Sequence, residues 1–202
     1  MRTIRATGHG SLRTVPGSPP RVSRSGGQGG CTPYRGTQTY QFDYGNRLRN
    51  VPGKETGYQY DAQGRRVYGS TTGSSYIVSQ YSQAGVLLYQ QDYKQAKRLE
   101  YIYLGGSLVA FRETPHGTST SVVKYQHTDA LGTPIAVTDA AKAIIETSEY
   151  EPYGQLVNRA LTDGPGFTGH VQDAATGLTY MQQRYYDPTV GRFLSVDPVT
   201  AL

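Results

Sequence analysis

One short unit recurs in this chain and limits it to antiparallel hairpins. Tyr40-Gln-Phe-Asp-Tyr-Gly-Asn-Arg-Leu48 is echoed by Tyr58-Gln-Tyr-Asp-Ala-Gln-Gly-Arg-Arg-Val67 and, with Ser82 in place of Asp, by Tyr81-Ser-Gln-Ala-Gly-Val-Leu87. The common pattern is aromatic-Asp-x-x-Gly-x-apolar. Asp accepts hydrogen bonds from its own downstream backbone, and Gly takes the positive φ that closes a short loop. Asp61 and Gly64 therefore predict a turn between two strands. In the first copy Asp43 and Gly45 stand one residue closer, which predicts a different turn. Asp129 and Gly132 repeat the unit. In Thr138-Asp-Ala-Ala-Lys-Ala-Ile144 the usual Gly place holds Lys142, so that turn is expected to be strained or of another type.

Composition agrees with many short strands. Apolar residues are 36% and charged residues 17% of the chain, Trp is absent, and there are 25 Gly, 11 Pro and 18 Tyr. Tyr supplies buried area and a polar tip, and it favours strands. Alternation predicts strands at residues 76–81, 85–89, 100–104 and 108–112, while 92–100 reads as a loop or hairpin. Residues 1–37 are rich in Gly, Ser, Pro and Arg and show no period, which predicts a disordered tail. Arg2, Arg5, Arg13, Arg21, Arg24 and Arg35 place much of the net charge of +5 there. That charge reads as a solvated segment rather than a nucleic-acid contact. No apolar run suits a membrane span and no signal peptide is visible.

The last quarter carries the longest fixed string. From Leu178 the alternation puts Leu178, Tyr180, Gln182, Arg184 and Tyr186 on one face of a single strand. Asp187-Pro188 then opens a turn that Gly191 closes. Val122–Asp139 is a further hairpin. There His127 and Asp129 share a face, but no nucleophile stands beside them. They read as hairpin packing and turn capping, not catalysis. Four His and the lone Cys31 are scattered, so no metal-binding or cofactor-binding set is present.

The string Arg184-Tyr-Tyr-Asp-Pro-Thr-Val-Gly-Arg-Phe-Leu-Ser-Val-Asp-Pro198 resembles the core of Rhs/YD-repeat proteins, the family of polymorphic toxins, insecticidal toxin-complex shells and teneurin-like YD-shells. His127, Asp129, Leu131, Gly132 and Pro134 also fit its pattern, as does Glu149-Tyr-Glu-Pro-Tyr-Gly154. The resemblance covers Tyr40 to Pro198. It implies an all-β fold of antiparallel hairpin repeats in a curved sheet, a piece of a hollow cocoon. The expected divisions are a tail over 1–37, YD-repeat hairpins over 38–120 and the core over 121–202.

Functionally, the resemblance implies a structural shell module of a bacterial secreted toxin system. Its partners would be a C-terminal toxin and a specialised secretion apparatus of the type VI kind, with a cytoplasmic stage before export. Toxin-carrying members cut themselves with an arginine and paired aspartates. Arg184 and Asp197 fall on the arginine and the first aspartate. The second Asp-Pro element belongs beyond Leu202, so the chain is expected to be an inactive fragment with exposed sheet edges that associate. In that reading Arg184 and Asp197 form an ion pair, and Asp43, Asp61, Gly64, Asp129, Gly132, Asp187 and Gly191 are turn formers. Two other readings are a trimmed autoprotease and a carbohydrate-binding module that stacks sugars on Tyr.

Overall fold

A computed structural model describes residues 2–4, 38–71 and 75–195. All three of its sheets are antiparallel, and no α-helix occurs among the described residues. The first sheet holds β1 (Arg2–Ile4), β2 (Tyr40–Phe42) and β3 (Leu48–Asn50). The second has nine strands: β4 (Glu55–Tyr60), β5 (Arg66–Thr71), β6 (Tyr76–Tyr81), β7 (Leu87–Asp92), β8 (Lys97–Leu104), β9 (Ser107–Pro115), β10 (Val122–Thr128), β11 (Pro134–Thr138) and β12 (Ile144–Thr147). They lie side by side in chain order, a plain meander that stays open at both ends. The third sheet holds β13 (Gly164–Pro165), β14 (Val171–Gln172), β15 (Thr179–Met181), β16 (Arg184–Asp187) and β17 (Arg192–Phe193).

The meander passes the division expected at residue 120 without a break and runs to Thr147. Of the segment 1–37, Arg2–Ile4 is described and pairs with β2. The rest of that segment lies outside the described residues.

One turn geometry closes the hairpins at Asp61, Ser82, Asp129 and Asp139 of the meander, and the same three bonds recur at each site. At Asp61 the Arg65 amide donates to Oδ1 at 2.8 Å, the Asp61 amide donates to the Arg65 carbonyl at 2.9 Å, and the Gly64 amide donates to the Asp61 carbonyl at 3.0 Å. Asp129 does this for Thr133 and Gly132, and Ser82 for Val86 and Gly85, with its hydroxyl accepting from Val86 N at 3.1 Å. One expectation is corrected here and one is narrowed. The Asp43 turn is not different: Asn46, at φ 57°, takes the left-handed position, and Gly45 does not. The Asp139 turn is the same type too, with Lys142 held at φ 67°. Counting from the Asp sets this turn, and Asn and Lys are forced into a conformation that Gly adopts freely.

Register shifts at Gln59/Tyr60, Gln80/Tyr81, Ile102/Tyr103 and His127/Thr128 stand beside the turns. Such bulges bend and twist a sheet, which curves the meander. Its concave face is apolar where the third sheet covers it. Tyr58, Leu87, Leu99, Tyr101 and Leu108 pack with Val171, Leu178, Tyr180, Tyr185 and Leu194 in one core, which also takes in Tyr40, Phe42, Leu48 and Val51. Leu178 is 0% and Tyr180 1% exposed. Each side chain so buried contributes roughly 1.5–3 kcal/mol.

The single strand expected from Leu178 to Tyr186 is instead a hairpin. The chain reverses at Gln182, which has φ 56°, and Tyr180 pairs with Tyr185. Directly opposed residues share a face. Arg184 therefore lies with Met181, opposite which it is registered, and not with Leu178 and Tyr180. Both tyrosines must be buried, and only a reversal puts them on one side.

Candidate functional site at the junction of the core sheet and the meander

Two cations from the meander meet two carboxylates from the third sheet. Arg66 opens β5, directly after the Asp61 turn. Its neighbour Arg65 points outward, pairs with Asp61 at 2.7 Å and donates to the Ser82 carbonyl at 2.6 Å, linking consecutive turns. Arg66 points inward. Its Nη1 donates to Asp173 Oδ2 at 2.6 Å and to the Tyr185 hydroxyl at 3.1 Å. Asp173 follows β14 and also accepts from the Tyr58 hydroxyl at 3.3 Å. The side chains of Arg66 and Asp173 are 8% and 7% exposed.

Aromatic rings enclose the pair. The guanidinium carbon lies 5.0 Å from the Tyr58 ring, 4.7 Å from Tyr180 and 5.7 Å from Tyr185. The Tyr180 hydroxyl accepts from the Arg66 amide at 2.7 Å, and the Tyr60 hydroxyl donates to the Leu48 carbonyl at 2.5 Å. Burial alone would depress the guanidinium pKa. The Asp173 carboxylate outweighs it and raises the pKa, so Arg66 stays charged. Burial pushes Tyr60 up to about 12 and raises Tyr180 and Tyr185 as well, so all three phenols keep their protons.

The second pair is Lys94, in the turn after β7, with Asp163, just before β13. Lys94 Nζ lies 3.5 Å from Asp163 Oδ2, and Asp163 Oδ1 accepts from the Ala174 amide at 3.0 Å. Burial raises the Asp163 pKa, and the nearby Asp173 charge adds to it although Lys94 opposes both. Arg66, Lys94, Asp163, Asp173 and Gln90 share a cavity of about 20 Å³. That is room for one water and not for a peptide bond. Here two carboxylates are each matched to a cation around a space for one water, which favours a structural joint over a reaction centre.

Around the joint, Gln182 at the core hairpin's tip donates from Nε2 to the Gly85 carbonyl at 2.9 Å, hooking onto the Ser82 turn. Thr168 N donates to Thr133 Oγ1 at 3.2 Å, and Tyr186 donates to the Tyr153 carbonyl at 3.0 Å. A Cβ at Gly154, which has φ 86°, would stand 2.4 Å from the Phe167 ring.

The residues singled out in the sequence are placed as follows. The Arg184 guanidinium stacks 3.7 Å from the Phe193 ring centroid. Asp197 lies outside the described residues. Asp187 is fully buried, and its Oδ1 accepts from Thr189 N at 2.9 Å while its carbonyl accepts from Gly191 N at 2.8 Å. Asp129 Oδ1 accepts from Leu131 and Thr133 amides at 2.8 Å. His127 faces Thr138 Oγ1 at 3.1 Å. Sequence reasoning missed Arg66, Lys94, Asp163 and Asp173. The one available signal was the Arg65-Arg66 doublet in a strand, where period two must turn one arginine to each face.

The family model described as Teneurin YD-shell matches residues 30–201. The chain is 41% identical over 80 residues to double-stranded DNA deaminase toxin A of Burkholderia cenocepacia, covering 36% of this chain and 6% of that protein. It is 32% identical over 163 residues to the tRNA(Glu)-specific nuclease WapA of Bacillus subtilis subsp. natto, covering 79% of this chain and 6% of that one. The crystal structure of TcdB2-TccC3-Cdc42 matches with a TM-score of 0.58 at 21% identity, over 80% of this chain and 9% of that chain, a likeness of fold.

Proposed function

The chain belongs to the Teneurin YD-shell family, and from that premise we propose that it works as wall and inner lining of a larger hollow shell in a toxin system. It spans 6% of the length of the curated relatives it matches, so a single copy is a segment of wall. The observation that carries this reading is the junction of Arg66, Asp173, Lys94 and Asp163. It fastens the core sheet into the concave face of the meander through paired, buried charges, and its 20 Å³ cavity has no room for a substrate. The shell would enclose a toxin borne on the C-terminal side, and export through a dedicated apparatus would follow. The open edge at β12, where Ile144 is 67% exposed, would pair with further strands of the shell or with a second copy.

The autoproteolytic reading places Arg184 and Asp197 in a cleavage centre completed by downstream residues. Intact mass of the chain produced with the coding sequence that follows Leu202, as wild type and as Asp197→Asn, separates the two. A structural wall stays uncut in both. Cleavage of the wild type alone would replace this proposal with a self-cutting core.

A further inference from the structure

The outward face of the meander carries a row of stacked rings that neither the core nor the junction uses. Tyr93 follows β7, and its amide donates to the Tyr76 carbonyl at 2.9 Å, so the two residues stand opposite each other across the ladder. Their ring centroids are 4.3 Å apart with planes inclined by 28°, the shortest ring separation among the described residues. Tyr68 stacks on the far side of Tyr76 at 5.4 Å, and His116 tilts against Tyr93 at 5.0 Å. These flanking rings restrict both phenols from swinging away. Gln91 Nε2 donates to the Tyr93 hydroxyl at 2.8 Å and fixes that end of the ring. The Tyr76 phenol sits above its ordinary pKa through desolvation and the neighbouring Tyr93 phenol. Rings stacked at 4.3 Å across one rung of the ladder bring the ortho carbons of the two phenols within reach of each other. Tyr93 is 41% exposed, so an oxidant can reach the pair, unlike Tyr58, Tyr180 and Tyr185 in the core.

We propose that Tyr76 and Tyr93 are an oxidative coupling site that closes the β6–β7 hairpin with a dityrosine bond. The co-reactant is a peroxidase-type one-electron oxidant with hydrogen peroxide. Each phenol gives one electron to the oxidant and its hydroxyl proton to solvent. The two phenoxyl radicals join ortho carbon to ortho carbon. The displaced ring hydrogens move to the oxygens as the rings regain aromaticity. The pair loses two hydrogen atoms in all, and peroxide takes them up as it becomes two waters. With one Cys, Cys31, the chain has no internal disulfide, and a coupled tyrosine pair would supply a covalent staple of another kind. The bond would join residues whose backbones are already aligned by a hydrogen bond, the two rings sliding out of their stack until their ortho edges meet.

The test treats the full chain, dilute, with horseradish peroxidase and limiting peroxide. Expected are a monomer lighter by the mass of two hydrogens, dityrosine fluorescence, and a proteolytic fragment joining Tyr76 to Tyr93. Tyr93→Phe and Tyr76→Phe should each abolish all three. Tyr44, 90% exposed, is the comparison site, since coupling governed by exposure alone would yield dimers through it. Dimers through Tyr44 without the internal fragment, or an internal fragment that persists in Tyr93→Phe, would overturn the proposal. Fragment mapping of the wild type decides the matter even if a variant fails to fold.

Discussion

Replacing Arg66 with Met removes the cation from the junction and leaves a similar volume. Three losses follow. The bond from Nη1 to Tyr185, 3.1 Å long, is worth about 1 kcal/mol. The ring contacts at 4.7 and 5.0 Å contribute a further ~1 kcal/mol. The largest loss is at Asp173, which stays buried beside Asp163 with Lys94 as the remaining nearby cation. Removing one partner of a buried ion pair leaves the other charge uncompensated and costs about 3–5 kcal/mol. The variant is therefore less stable than wild type by about 4–6 kcal/mol. Urea unfolding of both proteins at pH 7, followed by far-ultraviolet circular dichroism because the chain has no Trp, measures the gap. A gap below about 1.5 kcal/mol would refute the view that Arg66 neutralises Asp173.

Other perturbations test other parts. Asp163 has a raised pKa, so wild type should gain stability as pH falls from neutrality through that value towards the ordinary 3.8; Asp163→Asn, which can keep the Ala174 bond, should lack that gain in melting curves. Asp43 and Glu113 are held below their ordinary values, so their contributions persist above pH about 4 and disappear on further acidification, which acid titration of the melting temperature should show in Asp43→Asn as a shallower loss. Lys142→Gly relieves a left-handed lysine and should stabilise by about 0.5–1 kcal/mol, whereas Gly64→Ala should cost about 1–2 kcal/mol, both by urea unfolding. Gly154→Ala forces a methyl against Phe167 at 2.4 Å and should cost about 2–3 kcal/mol, with the loop around Tyr150 becoming sensitive to protease.

Local chemistry was legible in the sequence, and distant pairing was not. Asp61, Ser82 and Asp129 bond four residues ahead, so their turns are visible in any short window. The same window misled at Asn46, because a search for Gly stands in for the real rule, a left-handed residue at a fixed distance from the cap. At Gln182 unbroken alternation hid a reversal that burial of both Tyr180 and Tyr185 requires. Arg66 and Asp173 are separated by 107 positions, and nothing near either predicts the other. The junction arises when the curved meander brings the core sheet against its inner face.

The five Asp or Ser turns bear on how such walls diverge. Three of them have Gly at the left-handed place, and the others use Asn46 and Lys142, yet the bonds match. Because the capping side chain sets the count, a repeat can lose its glycine at a modest energetic penalty and still deliver the next strand at the same angle. Descendants of one ancestral shell can thus drift until their repeats no longer align by eye while the curvature of the wall is inherited intact. Shape then outlasts sequence, and kinship is better sought in the spacing between cap and left-handed residue than in the residues themselves.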